Sequence, residues 1–225
     1  MKYAIIVAGG VGSRSGDSLP KQFHEIAGKP MLWWTLRAFH EEDQDTHLIV
    51  VMHPDYIAHW KEICGEDCTP HTVTPGGATR SESVLAGLRL IPDGDEGLVA
   101  VHDAARPLVS RRLISDGWNY AAIHKAALPG VAVADSLRKG PRADSIPVDR
   151  SEYFAVQTPQ VFDKNLLKAG YSHFCRDGEN IDFSDDATLM QRYGVKPYAY
   201  EGDPRNIKVT YPGDFLIAEE ILKER

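Results

Sequence analysis

Cysteine is scarce in this chain of 225 residues. Cys64, Cys68 and Cys175 form an odd and sparse set, which predicts no disulfide framework and is typical of a reducing compartment. Cys64 and Cys68 are spaced to lie one helical turn apart, but a metal site needs further ligands at matching spacing. The sequence shows none, so we expect neither disulfides nor a cysteine-based metal site.

Long apolar runs are also missing. No stretch reaches the ~20 apolar residues that a membrane-spanning helix requires. The opening run, residues 1–7, is too short for the apolar region of a signal peptide, and Gly9 and Gly10 end it. We therefore expect a soluble, cytoplasmic protein with no membrane partner.

A basic excess is absent as well. Asp and Glu number 32 against 25 Lys and Arg, which gives a net charge of −7. Proteins that coat nucleic acid usually present a basic face, so we do not expect a nucleic-acid partner. An acidic average still allows a local basic pocket, which is all that a nucleotide enzyme needs.

Short apolar runs alternate with longer helical patterns, and this alternation predicts an α/β fold with a mostly parallel sheet and helices on both faces. The length is compatible with one domain, residues 1–225. Strands are predicted at 3–7, 47–52, 98–102, 130–134 and 206–210. Helices are predicted at 31–40, 56–64, 81–90, 110–127, 164–171, 186–193 and 214–223, with a possible capping box from Thr79 to Glu82.

One segment, residues 135–159, breaks this rhythm. It is polar and proline-containing, with short β-like pieces at 145–148 and 153–156. We predict a hairpin arm that projects from the body. A disordered surface loop is the alternative.

The first predicted strand runs into a glycine-rich loop with the sequence VAGGVGSRSG from Val7. Glycines let the backbone approach a phosphate closely, which favours phosphate binding over a structural turn. The loop lacks the Gly-Lys-Ser/Thr ending of a Walker A motif. It also stays irregular through Lys21, unlike a dinucleotide-binding loop, which opens directly into a helix. Arg14 and Lys21 give it two cations.

Further polar candidates follow later strands. A second glycine turn, Gly76-Gly77, precedes a helix and either approaches a base or sugar or is a plain turn. Asp103 ends the 98–102 strand, where a carboxylate can hold a metal or a sugar hydroxyl. Arg106 then pairs with a phosphate or, in the structural alternative, with Asp103.

Taken together and in order, these motifs resemble the 2-C-methyl-D-erythritol 4-phosphate cytidylyltransferase family of the non-mevalonate isoprenoid pathway. The landmarks span nearly the whole chain. They are the Ala8–Gly12 loop with Arg14, LPKQF at 19–23, Gly76-Gly77 with Arg80 and SVLAGL at 83–88, VHDAARP at 101–107, Asp135-Ser136, VDR at 148–150, TPQ at 158–160 and IKVT at 207–210.

The resemblance implies a Rossmann-like nucleotidyltransferase fold, a Mg²⁺–CTP substrate and a homodimer formed by the 135–159 arm. It assigns transition-state stabilisation to Arg14 and Lys21. It assigns positioning of the polyol phosphate to Arg150 and Lys208, with Arg150 acting in the partner's site. The cytidine pocket maps to Ala8, Gly9, Gly10, Gly77 and Ser83, and the polyol or metal region to Asp103, Arg106, Ser136 and Thr158, with Asp103 as the metal candidate.

Three positions depart from the family pattern. Ser136 and Ser184 stand where Thr is frequent, which keeps the hydroxyl group. Ala78 replaces a common Asp beside the base pocket, so the base contact at this position is open.

The chemistry implied by the resemblance needs no general base. The acceptor is itself a phosphate with a second pKa near ~6, so its oxygen is mostly ionised at neutral pH. Catalysis then requires alignment and cationic stabilisation. Accordingly, no Ser–His–Asp or Cys–His constellation stands out in the sequence.

Three other functions remain alternatives. Ribitol-5-phosphate cytidylyltransferase shares the chemistry, and Ala104-Ala105, where that enzyme tends to have Ser-Val, favours methylerythritol phosphate. A non-catalytic nucleotide-binding protein is expected to have lost Arg14, Lys21 or Lys208, and all three are present. The irregular stretch before Lys21 argues against a nicotinamide oxidoreductase.

Overall fold

A mixed, mostly parallel sheet organises the chain in a computed structural model, which describes residues 1–10, 19–94, 96–174 and 183–224. Its strands are numbered in chain order. They are β1 (Lys2–Ala8), β2 (Glu25–Ile26), β3 (Lys29–Pro30), β4 (His47–Met52), β5 (Thr72–Pro75), β6 (Leu98–Asp103), β7 (Ala126–Ala132), β8 (Leu137–Lys139), β9 (Ile146–Val148), β10 (Phe154–Val156), β11 (Gln160–Asp163) and β12 (Tyr198–Glu201).

The helices alternate with these strands, as the α/β pattern predicts. They are α1 (Met31–Glu42), α2 (Ile57–Ile63), α3 (Arg80–Arg89), α4 (Arg111–His124), α5 (Lys164–Phe174), α6 (Asp186–Arg192) and α7 (Pro212–Lys223). None of the described helices is long and apolar enough to cross a lipid bilayer.

The main sheet has the strand order β10-β7-β11-β6-β1-β4-β5, and β12 also pairs with β7. Strand β1 is parallel to both β6 and β4, and β4 is parallel to β5. Strands β10 and β11 run antiparallel to their neighbours. The carboxyl ends of β1, β4 and β6 therefore meet at one edge, which is where open α/β sheets bind ligands.

Two apolar cores cover the two faces of this sheet. Successive side chains of a strand point to opposite faces, and in β1 the residues Ala4 and Ile6 join one core while Tyr3 and Ile5 join the other. The first core includes residues of α1, α2 and α4, and the second includes residues of α3, α5 and α6. This arrangement confirms the predicted fold class.

Two of the predicted boundaries in the middle of the chain are wrong. The helix predicted at 110–127 ends at His124, because Lys125 has a φ of 69° and turns the chain. Strand β7 then starts at Ala126, four residues before the predicted 130–134 strand. Only glycine adopts this left-handed conformation without cost, so a lysine there gave no signal in the sequence.

The strand predicted at 206–210 is also wrong, since this segment pairs with no described strand. Its backbone groups bond to a loop instead. Val209 N donates to Ala105 O at 2.8 Å, and Asn206 O accepts from the Arg106 guanidinium at 2.8 Å. The segment thereby lies across the end of β6.

The prediction that the cysteines form no disulfide is wrong for Cys64 and Cys68, which are bonded to each other. Helix α2 ends at Ile63, and Gly65 turns the chain with a φ of 76°, so the two cysteines are not on one helix. His71 also comes close, with the two sulfurs and a ring nitrogen within 4.8 Å of one another. Cys175 lies outside the described residues.

The two β-like pieces predicted in the 135–159 segment, at 145–148 and 153–156, correspond to strands β9 and β10. Strands β8 and β9 form a small antiparallel sheet separate from the main one, and β10 is an edge strand of the main sheet, paired with β7. Ile146 and Phe154 are 61% and 49% exposed. The segment thus presents apolar side chains to its surroundings.

The capping box predicted at the start of α3 is confirmed. Thr79 Oγ1 accepts a hydrogen bond from Glu82 N at 3.1 Å, and Glu82 Oε2 accepts from Thr79 N at 3.2 Å. The same carboxylate accepts from Ala78 N at 2.6 Å. The cap therefore fixes the loop before α3 as well as the helix itself.

We predict that Thr79→Ala lowers the free energy of unfolding by about 1 kcal/mol, because the amide of Glu82 loses its acceptor. Thr79→Ser keeps the hydroxyl and serves as the matched control. Urea unfolding measures both. Equal stability of the alanine variant and the wild type would show that the cap contributes nothing.

Candidate active site

A cleft of about 490 Å³ opens at the edge where β1, β4 and β6 end. It is lined by Val7, Ala8, Gly9, Gly10, Lys21, Gln22, Gly77, Ala78, Thr79, Arg80, Ser83, Asp103, Ala104, Ala105, Lys208 and Thr210. A larger cavity of about 610 Å³ lies beside α3 and α5 and contains none of the site residues predicted from the sequence. The smaller cleft is therefore the candidate site.

One wall of the cleft is backbone from the first glycine loop. Ala8 ends β1, and its carbonyl accepts a hydrogen bond from Gln22 Nε2 at 2.7 Å. The Gln22 side chain is buried, so it fixes the turn that carries Lys21 against the end of β1. Gly9 and Gly10 follow in the cleft wall, whereas Arg14 lies outside the described residues.

The second glycine turn packs against the start of α3. A Cβ at Gly77 would lie 2.3 Å from Glu82 Cβ, and one at Gly76 would lie 2.8 Å from Ser83 Oγ. A side chain therefore does not fit at Gly77, and one at Gly76 would require the Ser83 hydroxyl to move. The small residues let the turn approach the capped helix, and they leave Ser83 and the turn's backbone facing the cleft.

Two lysines from opposite ends of the chain enter the same cleft. Lys21 Nζ donates to Val209 O at 2.8 Å, and Lys208 Nζ forms an ion pair with Asp103 Oδ2 at 2.7 Å. Because the segment around residue 208 crosses the end of β6, it places Lys208 near the first-strand loop. The cleft thus combines backbone donors with lysine ammonium groups, a pairing suited to phosphate groups.

Asp103 is the carboxylate of this site, and its side chain is only 14% exposed. Besides Lys208, it faces Arg80, with 3.6 Å between Oδ1 and the guanidinium Nε. Burial raises the pKa of Asp103, but the charges of Arg80 and Lys208 outweigh burial and hold that pKa well below its usual range. Asp103 is ionised at neutral pH.

Arg106 does not pair with Asp103, which was the structural alternative that the sequence offered. Its guanidinium donates to Asn206 O, while Asp103 pairs with Arg80 and Lys208. Burial lowers the pKa of Arg106, although the nearby charge of Asp103 acts in the opposite direction. Arg106 does not line the cleft, and it ties the 206–210 segment to the end of β6.

Thr158 and His102 form a buried layer beneath Asp103. Thr158 Oγ1 accepts from Asp103 N at 3.1 Å and lies 3.0 Å from His102 Nδ1. The other ring nitrogen lies 3.2 Å from Arg106 O. Burial lowers the pKa of His102 to about 4, so its ring is neutral. His102 is thus a buried packing residue between Thr158 and the Arg106 carbonyl.

Besides Arg106 and Thr158, two predicted residues lie outside this cleft in the chain's own fold. Ser136 is exposed just before β8, and Arg150 is exposed after β9, where its guanidinium donates to Ala134 O. Both belong to the 135–159 segment. The structure brings Ala8, Gly9, Gly10, Lys21, Gly77, Ser83, Asp103 and Lys208 together, and it leaves Arg106 and Thr158 behind the wall.

The cleft also contains residues that were not among the predicted site residues. Gln22 and Arg80 were within the family landmarks, and Thr79 within the predicted capping box. Thr210 ends the IKVT motif. Gln22 follows Lys21, Thr210 lies two positions after Lys208, and Thr79 and Arg80 precede the helix predicted at 81–90. These positions were the signal that the sequence offered. Only the fold shows that their side chains converge.

Comparisons with known proteins agree with this geometry. The family model for 2-C-methyl-D-erythritol 4-phosphate cytidylyltransferase matches residues 2–224. The enzyme of that name from Bacteroides thetaiotaomicron is 42% identical over 222 residues, covering 97% of this chain and 98% of its own. The one from Bacteroides fragilis is 40% identical over 223 residues, covering 98% and 99%.

A solved structure agrees too. The crystal structure of 2-C-methyl-D-erythritol 4-phosphate cytidylyltransferase from Thermus thermophilus matches with a TM-score of 0.80 and 31% identity, covering 99% of this chain and 100% of its own. None of these matches favours the ribitol-5-phosphate alternative. The chain belongs to the 2-C-methyl-D-erythritol 4-phosphate cytidylyltransferase family.

Proposed function

We propose that the cleft transfers CMP from CTP to 2-C-methyl-D-erythritol 4-phosphate by direct in-line attack. A phosphate oxygen of the acceptor forms a bond to the α-phosphorus, and the bond from that phosphorus to the bridging oxygen of the β-phosphate breaks. The products are 4-diphosphocytidyl-2-C-methyl-D-erythritol and pyrophosphate. The observation that carries the proposal is the convergence of glycine backbone, Lys21, Lys208 and Asp103 in one cleft.

The cleft suits a reaction without a general base. None of the described residues lining it is a histidine or a cysteine. The acceptor phosphate is already ionised at neutral pH, so the remaining barrier is charge repulsion and alignment. Lys21 and Arg14 would stabilise charge on the α-phosphate and leaving pyrophosphate, while Lys208 would orient the acceptor phosphate.

The cytidine fits the side of the cleft formed by the two glycine turns. Backbone groups of Ala8, Gly9, Gly10 and Gly77, together with Ser83 Oγ, are the available base and sugar contacts. At Ala78, the backbone amide is already held by Glu82. The methyl side chain there offers no hydrogen bond, so selection of the base rests on the backbone and Ser83.

Mg²⁺ fits this site as a companion of the nucleotide. Magnesium is commonly held by one or two carboxylates together with substrate phosphates, and Asp103 is the ionised carboxylate lining the cleft. When bound, the ion would neutralise part of the triphosphate charge. Since CTP is an intracellular nucleotide, we also propose a cytoplasmic location.

We further propose that the 135–159 segment is the dimerisation arm. Its exposed side chains Ile146, Tyr153, Phe154 and Val156 provide the apolar surface for a second copy. An isolated two-stranded hairpin is marginal in water, and a symmetric dimer would cover it. Arg150 does not reach the cleft of its own chain, which supports a role in the partner's cleft.

A pyrophosphate-release assay tests the reaction. We expect release to require CTP, Mg²⁺ and 2-C-methyl-D-erythritol 4-phosphate together, because each contributes a group that the cleft cannot supply. ATP, GTP, UTP and ribitol 5-phosphate serve as controls. Turnover with ribitol 5-phosphate that exceeds turnover with the methylerythritol substrate would refute the assigned acceptor, and full activity in excess chelator would refute the metal.

Loss of either loop cation should mainly affect the chemical step. We expect Lys21→Ala and Arg14→Ala each to lower kcat by about 10²–10³, because charge stabilisation in the transition state is lost. Steady-state kinetics against both substrates measures this, with the exposed Lys61→Ala on α2 as control. A near-wild-type kcat in either variant would exclude that residue from the transition state.

The arm's role is tested by mixing two variants, Arg150→Ala and Lys208→Ala, each of which we expect to be poorly active alone. If Arg150 acts in the partner's cleft, a mixed dimer contains one intact site and one site lacking both residues. Activity should then recover to about half per mixed dimer. Subunit exchange is verified with tagged chains. Exchange without recovery would mean that Arg150 serves its own chain or has no role in the site.

A further inference from the structure

A series of paired charged side chains extends from Lys208 in the cleft to Asp186 in the protein core. Lys208 pairs with Asp103, Asp103 faces Arg80 at 3.6 Å, and Arg80 Nη2 lies 2.7 Å from Asp186 Oδ2. The Tyr171 hydroxyl donates to Asp186 Oδ1 at 2.5 Å. The side-chain exposure falls from 48% at Lys208 to 0% at Asp186, so the inner end is anchored in the core.

Arg80 is held firmly between the two carboxylates. It is the first residue of the capped helix α3, and Asp186 is the first residue of α6. Within the described residues, no hydrogen bond reaches Asp186 Oδ2, so the Arg80 guanidinium is the charge that compensates this oxygen. An uncompensated buried carboxylate is costly. This keeps the planar guanidinium fixed, with its Nε towards Asp103.

This anchoring affects what Lys208 can do. Lys208 forms an ion pair with Asp103, so an incoming phosphate must compete with a carboxylate for its ammonium group. If Lys208 were the sole cation that the protein itself places at Asp103, its turning towards the phosphate would leave this mostly buried carboxylate with no partner in the chain. Arg80 supplies a second cation that stays in place.

We propose that Arg80 is a positioning residue for the acceptor phosphate. It keeps Asp103 compensated when Lys208 turns to the substrate, and its own position is fixed by Asp186. This inference rests on the proposed role of Lys208 in binding the acceptor. Arg80 thereby acts through Asp103 and not by direct contact with the nucleotide.

The test is Arg80→Met, which keeps the aliphatic stem and removes the charge. Because this change also strips Asp186 of its partner, the double variant Arg80→Met/Asp186→Asn removes both charges and keeps the Tyr171 hydrogen bond. We expect the KM for 2-C-methyl-D-erythritol 4-phosphate to rise about tenfold in both variants. A change of this size is within the range of interaction energies between neighbouring residues. The KM for CTP should stay within about twofold of wild type.

Arg89→Met, at the exposed opposite end of α3, is the matched control and should leave both KM values unchanged. A double-mutant cycle then asks whether Arg80 acts through Asp103. In an Asp103→Asn background, Arg80→Met should raise the acceptor KM much less than it does in the wild type. Additive effects, or a CTP KM that rises as much as the acceptor KM, would overturn the proposal.

Lys208→Ala separates failure of this inference from failure of the proposed function. A normal acceptor KM in that variant would refute the role of Lys208 and the inference with it. A raised acceptor KM in Lys208→Ala, together with unchanged values in both Arg80 variants, would refute the inference alone.

Discussion

The site depends first on the parallel pairing of β1 with β6. In this register, Val7 pairs with Asp103, and Ala104 N donates to Val7 O at 3.1 Å just beyond the last pair. The pairing brings the glycine loop and the carboxylate of the cleft to the same edge. Because side chains alternate along a strand, a slip of one residue would turn Asp103 to the other face of the sheet. The two apolar cores fix the register, since each strand buries residues on both faces.

Electrostatics at this edge follow from burial and pairing together. Asp103 is largely buried yet ionised, because Arg80 and Lys208 face its two oxygens. His102 is buried beside it and neutral, with both ring nitrogens near polar oxygens. A net acidic protein therefore contains a cleft lined by lysine and arginine. The overall charge of −7 says little about the charge of the site.

Much of the fold was predictable from local patterns, because apolar runs and caps are local features. Strand β4 has the predicted bounds, and the Thr79–Glu82 box starts α3 as expected. Exposed strands such as β12 were missed, since Tyr198 and Glu201 face outward and give no apolar run. The alternation in Ile207-Lys208-Val209-Thr210 imitated a strand, although side chains and a loop satisfy its backbone.

The site was predictable only in part. Glycine turns and motif order pointed to Lys21, Asp103 and Lys208, and these residues share the cleft. The pairing of Arg80 with Asp186 joins helices that are about a hundred positions apart in sequence. No local pattern encodes such a contact, because it exists only after both helices have packed against the sheet. The Cys64–Cys68 bond was missed for a related reason, since it depends on a turn at Gly65.

The crossing of the 206–210 segment over the end of β6 has a consequence for synthesis. This segment supplies Lys208, gives Lys21 its carbonyl partner at Val209, and donates the Asn206 amide to Thr158 O at 2.9 Å. Chains grow from the amino terminus, so the glycine loop emerges long before the residues that complete the site. A growing chain therefore contains the glycine loop and Asp103 before it contains Lys208. The cleft is therefore complete only after residues 206–210 have been synthesised and have packed across the end of β6.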